Sequence, residues 1–301
     1  MTGEPAGSRD VVDPLAGPDR PAPSAGPVEP DGPPGGSGPV IRLQGVDLEF
    51  PRSGTTPLPV LDGIDLAVAP GEIVALIGPS GCGKSTILNM VAGSLQPTGG
   101  TFEFDGAPLR KLNTAVSYMT QKDTLLAWRR VRDNAALPLE IRGVGRRERR
   151  EQAEAVLARV GLAGFEGYLP HQLSGGMRSR LSLARALLSD ARVFLMDEPF
   201  GALDAFLRIR MQQLLMELWA ERRMTVVYVT HDLTEAIGLA HRVVVLSSRP
   251  ARIKAVRTIP YAFPRDIAAV RTEPDFNATY QELWDLIAED LDAEAEGGRG
   301  G

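Results

Sequence analysis

The stretch Gly78-Pro79-Ser80-Gly81-Cys82-Gly83-Lys84-Ser85-Thr86 carries four glycines or prolines and one lysine in nine residues. It follows the apolar run Ile73-Val74-Ala75-Leu76-Ile77, which reads as a buried strand. After it, Ile87, Leu88, Val91, Ala92 and Leu95 fall on one face of an expected helix. The stretch matches G-x-x-x-x-G-K-[ST] through Gly78, Gly83, Lys84 and Ser85. Glycines let the backbone wrap closely around phosphate oxygens and turn successive N–H groups inward. The helix start adds the positive end of its dipole. In this reading Lys84 reaches the β- and γ-phosphates, Ser85 holds Mg²⁺ through its hydroxyl, and Thr86 touches the α-phosphate. A glycine-rich turn alone is only a turn; the strand before it and the helix after it favour the phosphate reading.

A second apolar run, Val193-Phe194-Leu195-Met196, ends in Asp197-Glu198. Two carboxylates at a buried strand tip are costly unless a cation or a reaction needs them. Asp197 is the candidate acceptor in the Mg²⁺ shell, and Glu198 the candidate base that polarises a water attacking the γ-phosphate.

The chain of 301 residues is long enough for one large or two modest domains. With 43% apolar and 24% charged residues it has the composition of a globular protein. Its formal charge of −5 gives no broad footprint for nucleic acid. One cysteine, Cys82, excludes an intrachain disulfide and fits a reducing compartment. No apolar run approaches the roughly 20 residues of a membrane span, and the N-terminus lacks a signal-peptide core. Within the phosphate loop, Cys82 is expected to react with thiol reagents unless nucleotide shields it.

Residues 1–40 contain ten prolines and eight glycines and are expected to form a disordered tail. Strands are expected around Ile41–Phe50, broken near Gly45, and over Val60–Val68, Thr101–Phe104 and Val116–Met119. Residues 123–188 read as mostly helical, with Ala153, Val156, Leu157 and Val160 at helical spacing and Arg146–Arg150 as a solvated face. A helix over Ala205–Trp219 and strands at Thr225–Val229 and Val243–Leu246 complete an α/β chain with a mostly parallel sheet. The expected organisation is a 41–250 core, an antiparallel β subdomain, an inserted helical subdomain, and a 251–301 extension. That extension carries an amphipathic helix near 275–292 and a disordered end.

Leu173-Ser174-Gly175-Gly176-Met177 resembles the LSGGQ signature of ATP-binding cassette (ABC) proteins, with Met177 in the glutamine position. By itself Ser174 could be a plain helix cap; with the glycine amides it could be a second anion-binding helix start, for a helix expected over Met177–Leu188. Gln121 matches the family's Q-loop glutamine, Gly201-Ala202-Leu203-Asp204 its D-loop, and His231 in Thr230-His231-Asp232 its switch histidine. The resemblance covers about residues 41–290. It implies two chains closing on two ATP molecules, each site completed by Ser174, Gly175, Gly176 and Asp204 of the other copy. It also implies that Gln121 touches Mg²⁺ and the attacking water, and that His231 senses the γ-phosphate. Phe50 stands where an aromatic would stack on adenine, though a core phenylalanine reads equally well.

Gln121-Lys122-Asp123-Thr124-Leu125-Leu126-Ala127-Trp128 is similar to the Q-loop of nitrate/sulfonate/taurine-type importer ATPases. Ala127 departs from that group's proline. Ser179 departs from its glutamine and is expected to weaken a helix contact beside the signature. The resemblance implies an ATPase at the cytoplasmic face of the membrane, a membrane permease, a second ATPase subunit and a periplasmic or lipid-anchored solute-binding protein. Leu125, Leu126 and Trp128 would meet the permease, or bury themselves in the helical subdomain. A soluble cassette acting on ribosomes or DNA is the alternative; a single cassette with a short helical block speaks against it. So do intact Lys84, Glu198 and His231 against a non-enzymatic regulator.

Overall fold

A computed structural model describes residues 38–54 and 56–297, with side chains through Asp290. The expected tail falls almost wholly in residues 1–37, and the expected disordered end in part in 298–301, both outside the described residues. Val40 is already buried, and its N–H donates to the Val68 carbonyl at 2.8 Å.

Two sheets form the frame. The smaller, in the order β2-β1-β4-β5, is antiparallel and joins β1 (Ile41–Phe50), β2 (Leu58–Val68), β4 (Gly99–Phe104) and β5 (Ala107–Pro108). The register of β1 slips between Leu43 and Val46, so the break expected at Gly45 is a bulge within one strand. The larger sheet runs β10-β9-β3-β8-β7-β6, from β3 (Ile73–Ile77), β6 (Val116–Met119), β7 (Val193–Asp197), β8 (Thr225–Val229), β9 (Arg242–Leu246) and β10 (Ile253–Thr258). Only the β9–β10 pair is antiparallel.

Strand β3 is buried along its whole length because both faces are covered. Ile73, Ala75 and Ile77 enter one core with the helices, while Val74 and Leu76 enter a second with the small sheet. That second core also receives Ile87, Leu88, Met90 and Val91 of α1 (Lys84–Val91). This helix ends before Ala92 and Leu95, which continue its apolar pattern in a turn. Between β6 and β7 lie α2 (Val131–Ala135), α3 (Leu137–Ile141), α4 (Arg146–Arg159) and α5 (Gly175–Leu187). On α4, Arg147 and Arg150 pair with Glu151 and Glu154 one turn on, a solvated face. Helix α6 (Ala205–Arg222) packs Trp219 into the first core, where its indole N–H donates to the Gly71 carbonyl at 2.8 Å.

Helix α7 (Leu233–Leu239), the edge strand β10 and the two-residue strand β5 go beyond the sequence reading. The C-terminal helix α8 (Phe276–Gly297) lies against its own domain, with Leu283 fully buried and Lys254 of β10 donating to the Leu286 carbonyl.

Candidate nucleotide and catalytic site

In a parallel sheet, loops at the C-terminal strand ends share one edge, and there ligands bind. The spatial order β3-β8-β7-β6 therefore sets four segments in a row: the Gly78–Thr86 loop, His231, Asp197-Glu198 and Gln121. Register ties the row together, because Leu76 and Asp197 both pair with Val229, and Met119 pairs with Met196.

The loop between β3 and α1 depends on glycine. Gly78, Gly81 and Gly83 hold φ of 152°, 75° and 125°. A Cβ on Gly78 would lie 2.6 Å from the Leu246 carbonyl oxygen, and one on Gly83 would lie 2.8 Å from Leu61 Cδ2. A Cβ on Gly81 would meet nothing within 4 Å, so its backbone faces open space. Lys84 is 9% exposed, and its ammonium donates to the carbonyls of Gly78 at 2.8 Å and Pro79 at 2.6 Å. The loop thus curls around its own lysine.

Cys82 behaves otherwise than expected. It is 1% exposed, and burial pushes its thiol up, opposed in part by Lys84. A buried, protonated thiol is a poor nucleophile. Near neutral pH the folded chain should label with a thiol reagent far more slowly than the denatured chain; equal rates would contradict this loop geometry.

Asp197 is buried, and desolvation raises its carboxyl pKa; Ser85, within hydrogen-bond reach, opposes that rise, Glu198 adds to it and Lys84 lowers it. A buried carboxylate beside a hydroxyl and an ammonium is a fit for a divalent cation, which would relieve the burial penalty. Among the described residues no group of three or more His, Cys, Asp or Glu could hold a metal by itself. A Mg²⁺ here would therefore draw further ligands from phosphate and water.

Glu198 sits one residue past β7 with φ 49°, a left-handed conformation that costs a non-glycine residue about 1–2 kcal/mol. Its N–H donates to the Val229 carbonyl at 3.0 Å. One carboxylate oxygen accepts from Gln121 Nε2 at 3.3 Å, and the other lies 3.4 Å from His231 Nδ1. Three residues singled out separately in the sequence thus meet around one carboxylate. His231 is 70% exposed, so this cluster faces outward from the strand tips.

The signature helix α5 begins two residues earlier than expected. Ser174 is its N-cap, accepting from the Met177 N–H at 3.3 Å. Gly175 shares a cleft of roughly 470 Å³ with Gln121 and Glu198, whereas none of Gly78–Thr86 lines it. Asp204 caps α6 by accepting from the Leu207 N–H at 3.0 Å. Phe50 closes β1 at 36% exposure, on the surface and outside the core.

Several supporting contacts escaped the sequence reading. Arg178 of α5 pairs with Asp123 at 2.9 Å, and Arg185 donates to the Thr124 carbonyl at 2.8 Å, so two arginines pin the Gln121 loop. Ser179, expected to weaken a contact, makes one: its hydroxyl donates to the Pro199 carbonyl at 2.9 Å, linking α5 to the Glu198 turn. Asp232-x-x-Glu235 after His231 is a capping pattern that could have signalled α7, and Asp232 does accept from the Glu235 N–H at 3.2 Å.

Residues 61–201 match the family model described as ABC transporter. The taurine import ATP-binding protein TauB of Chromobacterium violaceum is 44% identical over 250 residues, covering 81% of this chain and 94% of that protein. An ATP-binding protein of Brucella abortus, named no more specifically, is 41% identical over 227 residues, covering 75% of this chain and 87% of its own length. A solved ATP-binding cassette, described as a dimer in a post-hydrolysis state bound to ADP and Pi, is similar at 29% identity and TM-score 0.67. That match covers 73% of this chain and 98% of the other.

Proposed function

Given that this chain belongs to the ABC transporter family, as one of its ATP-hydrolysing subunits, we propose that it powers import of a small sulfonate such as taurine. Two copies would close on two ATP molecules and drive a separate membrane permease. The observation that carries the catalytic part is the meeting of Gln121, Glu198 and His231 at the tips of β6, β7 and β8, beside the phosphate loop on β3.

Backbone N–H groups of Gly78–Thr86 would cradle the phosphates, and Lys84 would exchange its carbonyl partners for β- and γ-phosphate oxygens. Mg²⁺, held by Ser85, Asp197 and Gln121, would neutralise charge on the transferring phosphoryl group. Glu198 would take the proton of the attacking water, with Gln121 orienting that water and His231 reading the γ-phosphate. Phe50, exposed at the end of β1, would stack on adenine. Ser174, Gly175, Gly176 and Asp204 of a second copy would complete the site across the dimer seam. Such catalysis is mostly positioning and charge stabilisation.

The permease would dock beside the Gln121 loop, at the cytoplasmic face of the membrane, with a solute-binding protein delivering cargo. Trp128 is 76% exposed there, with Leu125 and Leu126 half-buried beside it. A bulky aromatic that its own subdomain leaves uncovered suits an interface anchor. Among the described residues no helix is long and apolar enough to cross a membrane. The sulfonate assignment leans on several relatives named for taurine import, 39–44% identical to this chain.

Labelled taurine uptake by cells with and without this chain tests the cargo. Uptake should require the chain and be competed by other small sulfonates and not by nitrate. Chain-dependent nitrate uptake with no taurine uptake would overturn the cargo and leave the ATPase chemistry in place.

A further inference from the structure

We propose that Arg265 is a positioning residue for ATP hydrolysis, holding His231 in place through helix α7. The inference rests on the reading of His231 given above.

Helix α7 links the two residues. Its first end follows His231 directly: Asp232 caps it, accepts from Arg208 Nη1 of α6 at 3.1 Å, and donates its own N–H to the Thr230 hydroxyl at 3.0 Å. All of α7 except Thr234 is buried. Seven residues at 1.5 Å each make a rigid lever roughly 10 Å long. At its far end the last carbonyls have no partner within the helix. Arg265 supplies one. Its Nη1 donates to the Ile237 carbonyl at 2.7 Å and the Ala240 carbonyl at 2.8 Å, while Nη2 donates to those of Ile259 and Tyr261, each at 3.1 Å.

The guanidinium is an unusual choice for a purely structural plug. Arg265 is 3% exposed, and among the described residues no carboxylate pairs with it. A buried unpaired cation is costly, and an apolar side chain would fill the space with less penalty. Its charge is met instead by the negative end of α7 and by the face of Phe263, whose centroid lies 4.1 Å away. Burial lowers its pKa to about 9, which leaves it charged near neutrality.

Phe263 extends the linkage. It stacks face to face on His241 at 3.6 Å, and His241 Nδ1 accepts from the N–H of Ile73, the first residue of β3. One cluster therefore sets the end of α7 against the strand that leads into the phosphate loop. At the other end of the lever His231 meets Glu198. The groups facing α7 from its neighbours are Arg208 and Gln212 of α6 and Tyr228 of β8, each bonded to Asp232 or Glu235. These fix the helix sideways, and Arg265 fixes it along its axis.

A double-mutant cycle on the full chain tests this with single-turnover MgATP hydrolysis and ATP affinity. Arg265→Met should lower the hydrolysis rate about tenfold, as expected for a small displacement of a catalytic group, with ATP affinity changed by less than about twofold. In a His231→Ala background the same substitution should change the rate by less than about twofold, because the residue it acts through is gone. Arg265→Lys, which keeps the charge and some donors, should recover part of the rate. It serves in the same cycle if the methionine variant does not fold. Equal losses in both backgrounds would overturn the inference, as would an unchanged rate in the Arg265 variants. A His231→Ala chain with full activity would remove the switch reading and this inference together, whereas a normal His231 effect with an additive Arg265 loss would remove the inference alone.

Discussion

Glu198→Gln should lower ATP turnover at least about a hundredfold while ATP binding persists, the range a positioned general base contributes. The substitution keeps the side chain's shape and leaves an oxygen for the bond to Gln121. What it removes is the ability to take a proton from water. Asp197 cannot replace it, because that carboxylate is buried beside Ser85. Glu198 also occupies a left-handed backbone conformation, which aims its carboxylate between Gln121 and His231. Strain of this kind persists where the surrounding structure holds it, here through the Glu198 N–H bond to Val229. Phosphate release and nucleotide affinity, measured on the same preparation, separate the two effects. Turnover near that of the unaltered chain would move the base elsewhere.

Lys84→Ala should weaken ATP binding about a hundredfold, taking roughly 3 kcal/mol for charge-assisted hydrogen bonds to phosphate and tenfold per 1.4 kcal/mol. Two losses combine. The ammonium that would meet the β- and γ-phosphates disappears, and the loop loses the donor that ties the Gly78 and Pro79 carbonyls together. The fold should persist, since the neighbouring core of Ile87, Leu88 and Leu246 does not use that side chain. Isothermal titration with ATP in Mg²⁺ buffer checks this. Unchanged affinity in a folded Lys84→Ala chain would contradict the phosphate-loop assignment.

Most of the candidate site was legible because its residues stand at element ends marked by strong local signals. The apolar runs Ile73–Ile77 and Val193–Met196 announce buried strands, and glycines or acids announce their tips. Spatial order was not legible: the sequence runs β3, β6, β7, β8, whereas the sheet sets β8 between β3 and β7. Only that order brings His231 beside Glu198. Helix α7 is too short for a helical period to stand out, and β10 is a half-buried edge strand without clean alternation. Arg265 gives no local signal at all, since its partners are carbonyls 25 to 28 residues earlier and at the turn just before it. Cys82 was misread for a related reason. Its position in a loop suggested exposure, but it packs into the core with Ile87 and Leu246.

In the proposed mechanism two copies of this chain close on ATP and Glu198 then drives hydrolysis. Sedimentation of Glu198→Gln with MgATP, with bound nucleotide identified after separation, tests it most directly. A dimer holding two unhydrolysed ATP molecules, falling apart to monomers when ADP replaces ATP, is the predicted result. A chain that stays monomeric at saturating ATP, or a dimer that retains only ADP, would contradict it.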